Sequence, residues 1–398
     1  MNITKLSFNH FALGALILLF AMSCTVENEA PANTDDEVEV VEVVEVDEEP
    51  ADEPVEEVTE STEEEVAESD DEITCADAEM LCVGLVTNVG TIDDKSFNQS
   101  AWEGVTRAQE DLIAQIDYIE TVDPADFDKN LAYFGDKDFD VIVTVGFPLF
   151  DPTVSASEKY PNTRFIGVDQ FQAEEINNLT GLIFPEFGLG FLAGVLAGMA
   201  TEDGIVGGVF GTDIIPSLVL IKEGFDAGVY AVDPDIEVLS VYHPGGLEIA
   251  FVDPEWGAET ASEMMDSGAD VIFAAAGFTG NGVLEAVASN SEDSVYCIGV
   301  DTDQYFTVPE GQGCLISSAM KQVGEGVFQV IGEDFLGQAA GGNFMGKVEL
   351  APFHEFEDLV SAEARVFLSD IQKMLIDGEI PTDGTFRFPN APSLFATQ

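Results

Sequence analysis

Five aspartates stand where an apolar run ends: Asp93, Asp94, Asp169, Asp301 and Asp303. A carboxylate at a strand end can accept hydrogen bonds from sugar hydroxyls, accept from a ring N–H, or help hold a divalent cation. Taken singly, each is equally readable as a helix cap or a solvated turn. Lys321, in Ser317-Ser-Ala-Met-Lys-Gln322, follows another apolar run in a chain with only 13 Lys and Arg. At a cleft mouth it would donate to hydroxyls and offset the aspartates; otherwise it is a surface lysine. Gly277-Phe-Thr-Gly-Asn-Gly282 lacks the glycine spacing of a dinucleotide or P-loop site, so it reads as a tight strand–helix turn whose N–H groups suit a neutral ligand. Phe97 falls at a strand-to-helix loop tip, an odd place for an aromatic. Phe251 and Trp256 flank another helix start and are readable as core or as stacking surface. His10, His243 and His354 lie far from the cysteines, no Cys-x-x-Cys occurs, and neither His243 nor His354 has a Ser or Cys partner in any nucleophile motif. Metal and triad chemistry are therefore not expected, and no EF-hand pattern is present.

The elements that position these residues alternate between strand and helix. Strands are expected at 81–86, 118–121, 141–145, 164–168 and 179–184, then at 205–210, 236–242, 271–275, 295–300 and 315–318, with helical patterns between them. Ser96 and Gln99 have capping-box spacing ahead of Ala101, Val105, Ala108 and Leu112. The glycine-rich turn should lead into a helix at 283–288. An internal echo is more informative. Asp140-Val-Ile-Val-Thr-Val-Gly-Phe147 precedes Phe165-Ile-Gly-Val-Asp-Gln170, and Asp270-Val-Ile-Phe-Ala-Ala-Ala-Gly-Phe278 precedes Cys297-Ile-Gly-Val-Asp301. Asp169 and Asp301 close these blocks 29 and 31 residues after they open, and Gly84–Gly104 and Gly204–Gly224 add a second equal spacing upstream. This doubling implies two lobes of like topology, each a parallel sheet flanked by helices. Their strand-end loops would face one cleft carrying Phe97, Asp169, Gly277 and Asp301. The helical pattern at 323–336 and the residues beyond it should cross back to the first lobe, with a last helix at 357–376 and an edge segment at 385–388.

Charge and targeting frame this body. The chain has 77 Asp and Glu and a formal charge of −64. Residues 27–79 hold 25 acids and no cation, which leaves about −40 on the rest. Such a field repels nucleic acid and anionic membranes and disfavours highly charged anionic ligands; a solubility or high-salt adaptation explains it more simply than an acidic docking face. Residues 11–22 form an apolar run too short to span a bilayer, followed by Ser23-Cys24. The pattern is similar to a bacterial lipoprotein signal over 1–23 with lipid on Cys24, although Ala21 stands where Leu is usual. No other stretch reads as a transmembrane helix. Residues 187–200 are apolar but short and broken by glycines. The acidic stretch within 24–78 reads as a disordered tether; about 45 such residues span roughly 35–40 Å, more with self-repulsion. Export permits disulfides, and local pairing suggests Cys75–Cys82 and Cys297–Cys314, one of three connectivities that four cysteines allow.

VGLVTNVGTIDDKSFNQSAWEG, DVIFAAAGFTGNGV, CIGVDTDQ and SAMK together resemble the basic membrane lipoprotein family, purine nucleoside receptors among the ABC-transporter substrate-binding lipoproteins. The resemblance covers about 81–346 and implies a two-lobed type I periplasmic-binding fold: lobe 1 over 79–184, lobe 2 over 185–315, and a return to lobe 1 over 316–398. It implies a purine sandwiched by Phe97 and Phe251, a base read by Asp93, and a ribose held by Asp169, Gly277, Asp301 and Lys321. Asn98 joins this expected ligand-binding set. Asn88 and Phe278 depart from the family pattern close to the expected pocket. The expected protein is a monomeric, non-enzymatic, membrane-tethered receptor without a cofactor, working with permease and ATPase subunits on the extracytoplasmic face. A nucleoside-processing enzyme would instead release free base in a metal-dependent way, and a ligand sensor would need a signalling partner domain.

Overall fold

The computed structural model describes Cys75 and residues 80–290, 295–338 and 341–395. The expected leader, Cys24 and the acidic tether lie outside the described residues, except for Cys75 itself.

Strands and helices alternate through β1 (Cys82–Val89), α1 (Phe97–Leu112), β2 (Gln115–Thr121), α2 (Phe127–Gly135), β3 (Val141–Val145), α3 (Phe150–Lys159), β4 (Arg164–Val168) and β5 (Leu179–Ile183). They continue as α4 (Glu186–Ala200), β6 (Ile205–Phe210), α5 (Pro216–Val232), β7 (Glu237–Tyr242), α6 (Pro254–Asp266), β8 (Val271–Ala275), α7 (Phe278–Ala288) and β9 (Tyr296–Asp301). The last elements are α8 (Gln304–Thr307), β10 (Leu315–Lys321), α9 (Val323–Phe335), β11 (Gly342–Met345), β12 (Val348–Leu350) and α10 (Ala362–Ile376). The two uninterrupted apolar runs of the echo, Val-Ile-Val-Thr-Val and Val-Ile-Phe-Ala-Ala, become β3 and β8. Every residue of both is buried, as strands covered by helices on both faces require.

The strands form two six-stranded sheets, ordered β2-β1-β3-β4-β5-β11 and β7-β6-β8-β9-β10-β12. Five strands of each sheet occupy equivalent places, so the echo is a repeat of topology. Among the described residues the named strands all pair in parallel except β12 against β10. Asp140 and Asp270, which open the echoed blocks, tie down backbone ahead of their strands: Asp140 accepts from Cys82 N at 2.8 Å, and Asp270 accepts from Glu202 N at 2.6 Å and Asp203 N at 2.8 Å. The upstream spacing match is not a structural equivalence. Gly84 lies opposite Ile142 and Gly207 opposite Ile272, so the partner of Gly84 is Gly207 and not Gly204. Disulfides join Cys75 to Cys82 and Cys297 to Cys314.

The chain passes between the lobes after β5, at Gln322 between β10 and α9, and between β11 and β12. The return to the first lobe is thus narrower than the expected 316–398. α9 packs on α1 and β11 joins β5, whereas β10 remains in the second sheet through Lys321 and α10 packs on α4. Residues 385–388 form no strand; Phe388 N donates to Ala231 O at 2.7 Å and holds the segment on the second lobe. Glycines do not break the apolar stretch at 187–200. It is one continuous helix, α4, and a Cβ on Gly190 or Gly194 would stand 1.9 or 2.0 Å from the carbonyl oxygens of Ile221 or Phe225 in α5, so the glycines are where the two helices touch. Among the described residues no helix is long and apolar enough to cross a membrane.

Candidate functional site

The loops after the strand C-termini of both sheets enclose a cavity of about 460 Å³. Asp93, Phe97, Asn98 and Asp169 line it from the first lobe, and Phe251, Gly277, Asp301 and Lys321 from the second. All eight residues expected from the sequence to bind ligand are therefore brought together. Asp303 is not among the lining residues; its Oδ2 lies 2.8 Å from His354 Nε2, and that imidazole stacks on Tyr305 at 4.0 Å.

Phe97 is the first residue of α1, and the residue that holds the helix start is Asp94. The Asp94 carboxylate accepts from Ser96 N at 2.9 Å, Asn98 N at 2.9 Å and Gln99 N at 3.0 Å, three of the donors a helix start leaves unpaired. The capping-box expectation is corrected here: Ser96 makes no side-chain cap bond, and Gln99 Nε2 donates to Glu103. Ser96 Oγ instead donates across the cleft to Asp301 Oδ2 at 2.6 Å. Gly146, at φ +100°, leaves room beside the ring. A Cβ there would meet Phe97 Cε1 at 3.6 Å and Asn88 Nδ2 at 3.1 Å.

Phe251 sits in the turn ahead of α6, and its ring lies against Gly211, where a Cβ would stand 2.2 Å from Cε1. His243 supports that turn. Its Nδ1 accepts from Gly245 N at 2.9 Å, its Nε2 faces Asp253 Oδ2 at 3.3 Å, and its ring meets Trp256 edge-on at 4.4 Å. Asp253 in turn caps α6 by accepting from Trp256 N at 3.1 Å. The glycine-rich turn is shorter than expected, because α7 begins at Phe278 and only Gly277, at φ +56°, stands outside it.

Asp169, the first residue after β4, and Asp301, the last residue of β9, share the same left-handed conformation, at φ 61° and 65°. Their equivalence thus extends from sequence to backbone. Lys321 Nζ donates to Asp169 Oδ2 at 2.5 Å, lies 3.7 Å from Glu186 Oε1, and stands 5.3 Å from the centre of the Phe97 ring. Asp169 Oδ1 and Asn98 Oδ1 are buried acceptors without a partner among the described residues. Burial lowers the Lys321 pKa, but Asp169, Glu186 and Asp301 outweigh it and leave the ammonium above its ordinary value. Burial likewise raises Asp301 and Glu186, against the opposing pull of Lys321. Burial pushes Asp94 up to about 6, against its three backbone donors.

These upward shifts set a pH dependence. A carboxyl whose folded pKa lies above its unfolded value stabilises the fold most below the unfolded value, and that contribution is lost as pH rises through the folded one. Asp94, from 3.8 unfolded to about 6 folded, covers the range between those values. Denaturant unfolding of the ligand-free protein is expected to show at least about 1 kcal/mol more stability at pH 5 than at pH 7.5. Equal or lower stability at pH 5 would contradict these shifts.

The sequence did not point to the apolar wall formed by Ile215, Leu218 and Ile221, at and just after the start of α5. Their spacing is that of any buried helix face. Phe147 was missed as well, and its echo of Gly277-Phe278 in Gly146-Phe147 was the available signal; Asn88 and Phe278, expected close to the pocket, do line the cavity.

Residues 82–348 match the family model described as ABC transporter substrate-binding protein PnrA-like. The chain is 33% identical over 324 residues to the CD4+ T-cell-stimulating antigen of Listeria monocytogenes, covering 75% of this chain and 87% of that protein. It is 29% identical to the ABC transporter nucleoside-binding protein BmpA of Lactococcus lactis, covering 75% and 88%. Basic membrane protein B of Borreliella burgdorferi is 31% identical, covering 61% and 71%. Among solved structures, an ABC transporter solute-binding protein of Aeropyrum pernix superposes with a TM-score of 0.67 at 24% identity, covering 76% of this chain and 92% of that one; it supports the two-lobed fold alone. With two like sheets closing on one cavity and a family match spanning both, the chain belongs to the Bmp family of PnrA-like ABC transporter substrate-binding proteins.

Proposed function

We propose that this protein captures a purine-type nucleoside between its lobes and delivers it to an ABC permease from the extracytoplasmic face, anchored through lipid on Cys24 and held off the membrane by its acidic tether. One observation carries the reading: an aromatic ring from each lobe, Phe97 and Phe251, lines the same cavity, beside carboxylates suited to hydroxyls. A nucleobase offers flat faces to such rings, and the ribose offers hydroxyls to Asp169, Asp301 and Lys321. Asp93 would read the base edge, with Asn98 beside it, and Gly277 would approach the sugar through its backbone. The nucleoside-binding relative from Lactococcus lactis points the same way. The protein is read as a monomeric carrier without catalytic residues, resident metal or cofactor.

The cavity also implies a limit. Asp93, Asp94, Asp169 and Asp301 line it against Lys95 and Lys321, and Lys321 is already bonded to Asp169. A phosphate brought there would stay poorly paired, which costs several kcal/mol. After unfolding and refolding to strip bound ligand, calorimetric titration is expected to show a purine nucleoside binding at least about 100-fold more tightly than its 5′-monophosphate, with free hexoses silent. Equal affinity for nucleoside and monophosphate, or binding of hexose alone, would overturn the reading.

A further inference from the structure

The loop between β1 and α1 makes contacts that the cavity does not require. It presents two backbone carbonyls to the second lobe. Asp94 O accepts from Asn281 Nδ2 at 3.0 Å, and Lys95 O accepts from Thr307 Oγ1 at 3.0 Å and Gln304 Nε2 at 3.3 Å. Asn281 and Gln304 are each 1% exposed, and none of the three donors lines the cavity.

The donors are organised within their own lobe. Gln304 Nε2 also donates to Asn281 Oδ1 at 3.0 Å, Gln304 Oε1 accepts from Val300 N at 2.8 Å, and Gln304 N donates to Ser318 Oγ at 3.1 Å. These bonds lie wholly inside the second lobe, so separating the lobes would leave them intact. Of the bonds this group makes, opening removes only the three to the loop carbonyls, and water can replace them there. On the loop side, Lys95 adopts φ +59°, a left-handed conformation that L residues with a Cβ rarely hold without compensation. Two of the three bonds to the loop carbonyls end on this same residue.

We propose that Asn281, Gln304 and Thr307 form a latch that holds the two lobes closed through the backbone of Asp94 and Lys95, independently of ligand. They are positioning residues. None of them lines the cavity, yet they set the closing equilibrium that brings Ser96 onto Asp301 and Lys321 onto Asp169. The inference rests on the two-lobed closure of the proposed function but not on the identity of the ligand.

The test uses ligand-free protein stripped by unfolding and refolding. Spin labels on Glu110→Cys and Asp235→Cys, exposed positions on the two lobes, report the interlobe distance by pulsed electron resonance. Thr307→Val removes one donor and keeps the side chain's shape. Asn281→Asp keeps the acceptor for Gln304 and turns a second carboxylate oxygen toward the Asp94 carbonyl. The ratio of closed to open protein is expected to fall about three- to tenfold in Thr307→Val and further in Asn281→Asp. The unfolding temperature of Thr307→Val should stay within about 2 °C of the parent, because that residue is only half-buried. If Asn281→Asp fails to fold, Thr307→Val decides alone. An unchanged distance distribution in Thr307→Val overturns the latch. A shifted distribution in a protein that binds no nucleoside leaves the latch standing and removes the ligand assignment instead.

Discussion

Phe97→Ala is expected to weaken binding of a purine nucleoside by about 10- to 100-fold while leaving the unfolding temperature of the ligand-free protein nearly unchanged. Stacking of a base on an aromatic side chain contributes about 1–3 kcal/mol, and each 1.4 kcal/mol is a factor of ten. The ring is half-buried, and its backbone position depends on the Asp94 carboxylate rather than on the ring itself. Truncation therefore removes ligand contact while the cap of α1 remains. Phe97→Tyr keeps the flat face and should retain most of the affinity. Calorimetric titration of stripped protein checks both variants; a Phe97→Ala protein that binds as tightly as the parent would remove Phe97 from the ligand's surface.

The elements that proved readable in the sequence are those set by local pattern. β3, β4, β6 and β8 fall at the expected residues because buried parallel strands are short continuous apolar runs between turns. The pairing of Asp169 with Asp301 was legible because each closes a repeated strand, and their shared left-handed backbone reflects that equivalence. The expectations that failed depend on partners distant in the chain. Ser96 and Gln99 satisfy capping-box spacing, yet Ser96 Oγ finds an acceptor 205 residues away in Asp301, and Asp94 takes over the helix start. Spacing cannot reveal that competition. The lobe assignment after residue 316 failed similarly: the periodicity of β10 and α9 identifies a strand and a helix, while sheet pairing decides that the crossing falls at Gln322. Ile215, Leu218 and Ile221 read as core from either side of the question, since a cavity wall and a packed helix face need the same residues.

Lys321→Met should be the most destabilising of the substitutions considered, about 3–5 kcal/mol at pH 7. The side chain is 3% exposed, and its ammonium faces Asp169 at 2.5 Å and Glu186 at 3.7 Å, with Asp301 also within its field. Removing the cation leaves these carboxylates desolvated and mutually repelling, which is where the loss arises; the hydrophobic replacement itself fits a buried site. That cause has two further consequences. Asp301 and Glu186 are already raised by burial, and without Lys321 they lose the cation that opposes that rise, so the deficit should shrink as pH falls toward 5 and they take up protons. Adding Asp169→Asn to Lys321→Met should recover a substantial part of the loss, because one of the stranded charges is gone; the single and double variants form a cycle that isolates the pair. Denaturant unfolding at pH 7 and pH 5 measures all of this. A deficit independent of pH, or a double variant no more stable than Lys321→Met, would show that the buried lysine is held for its packing and not for its charge.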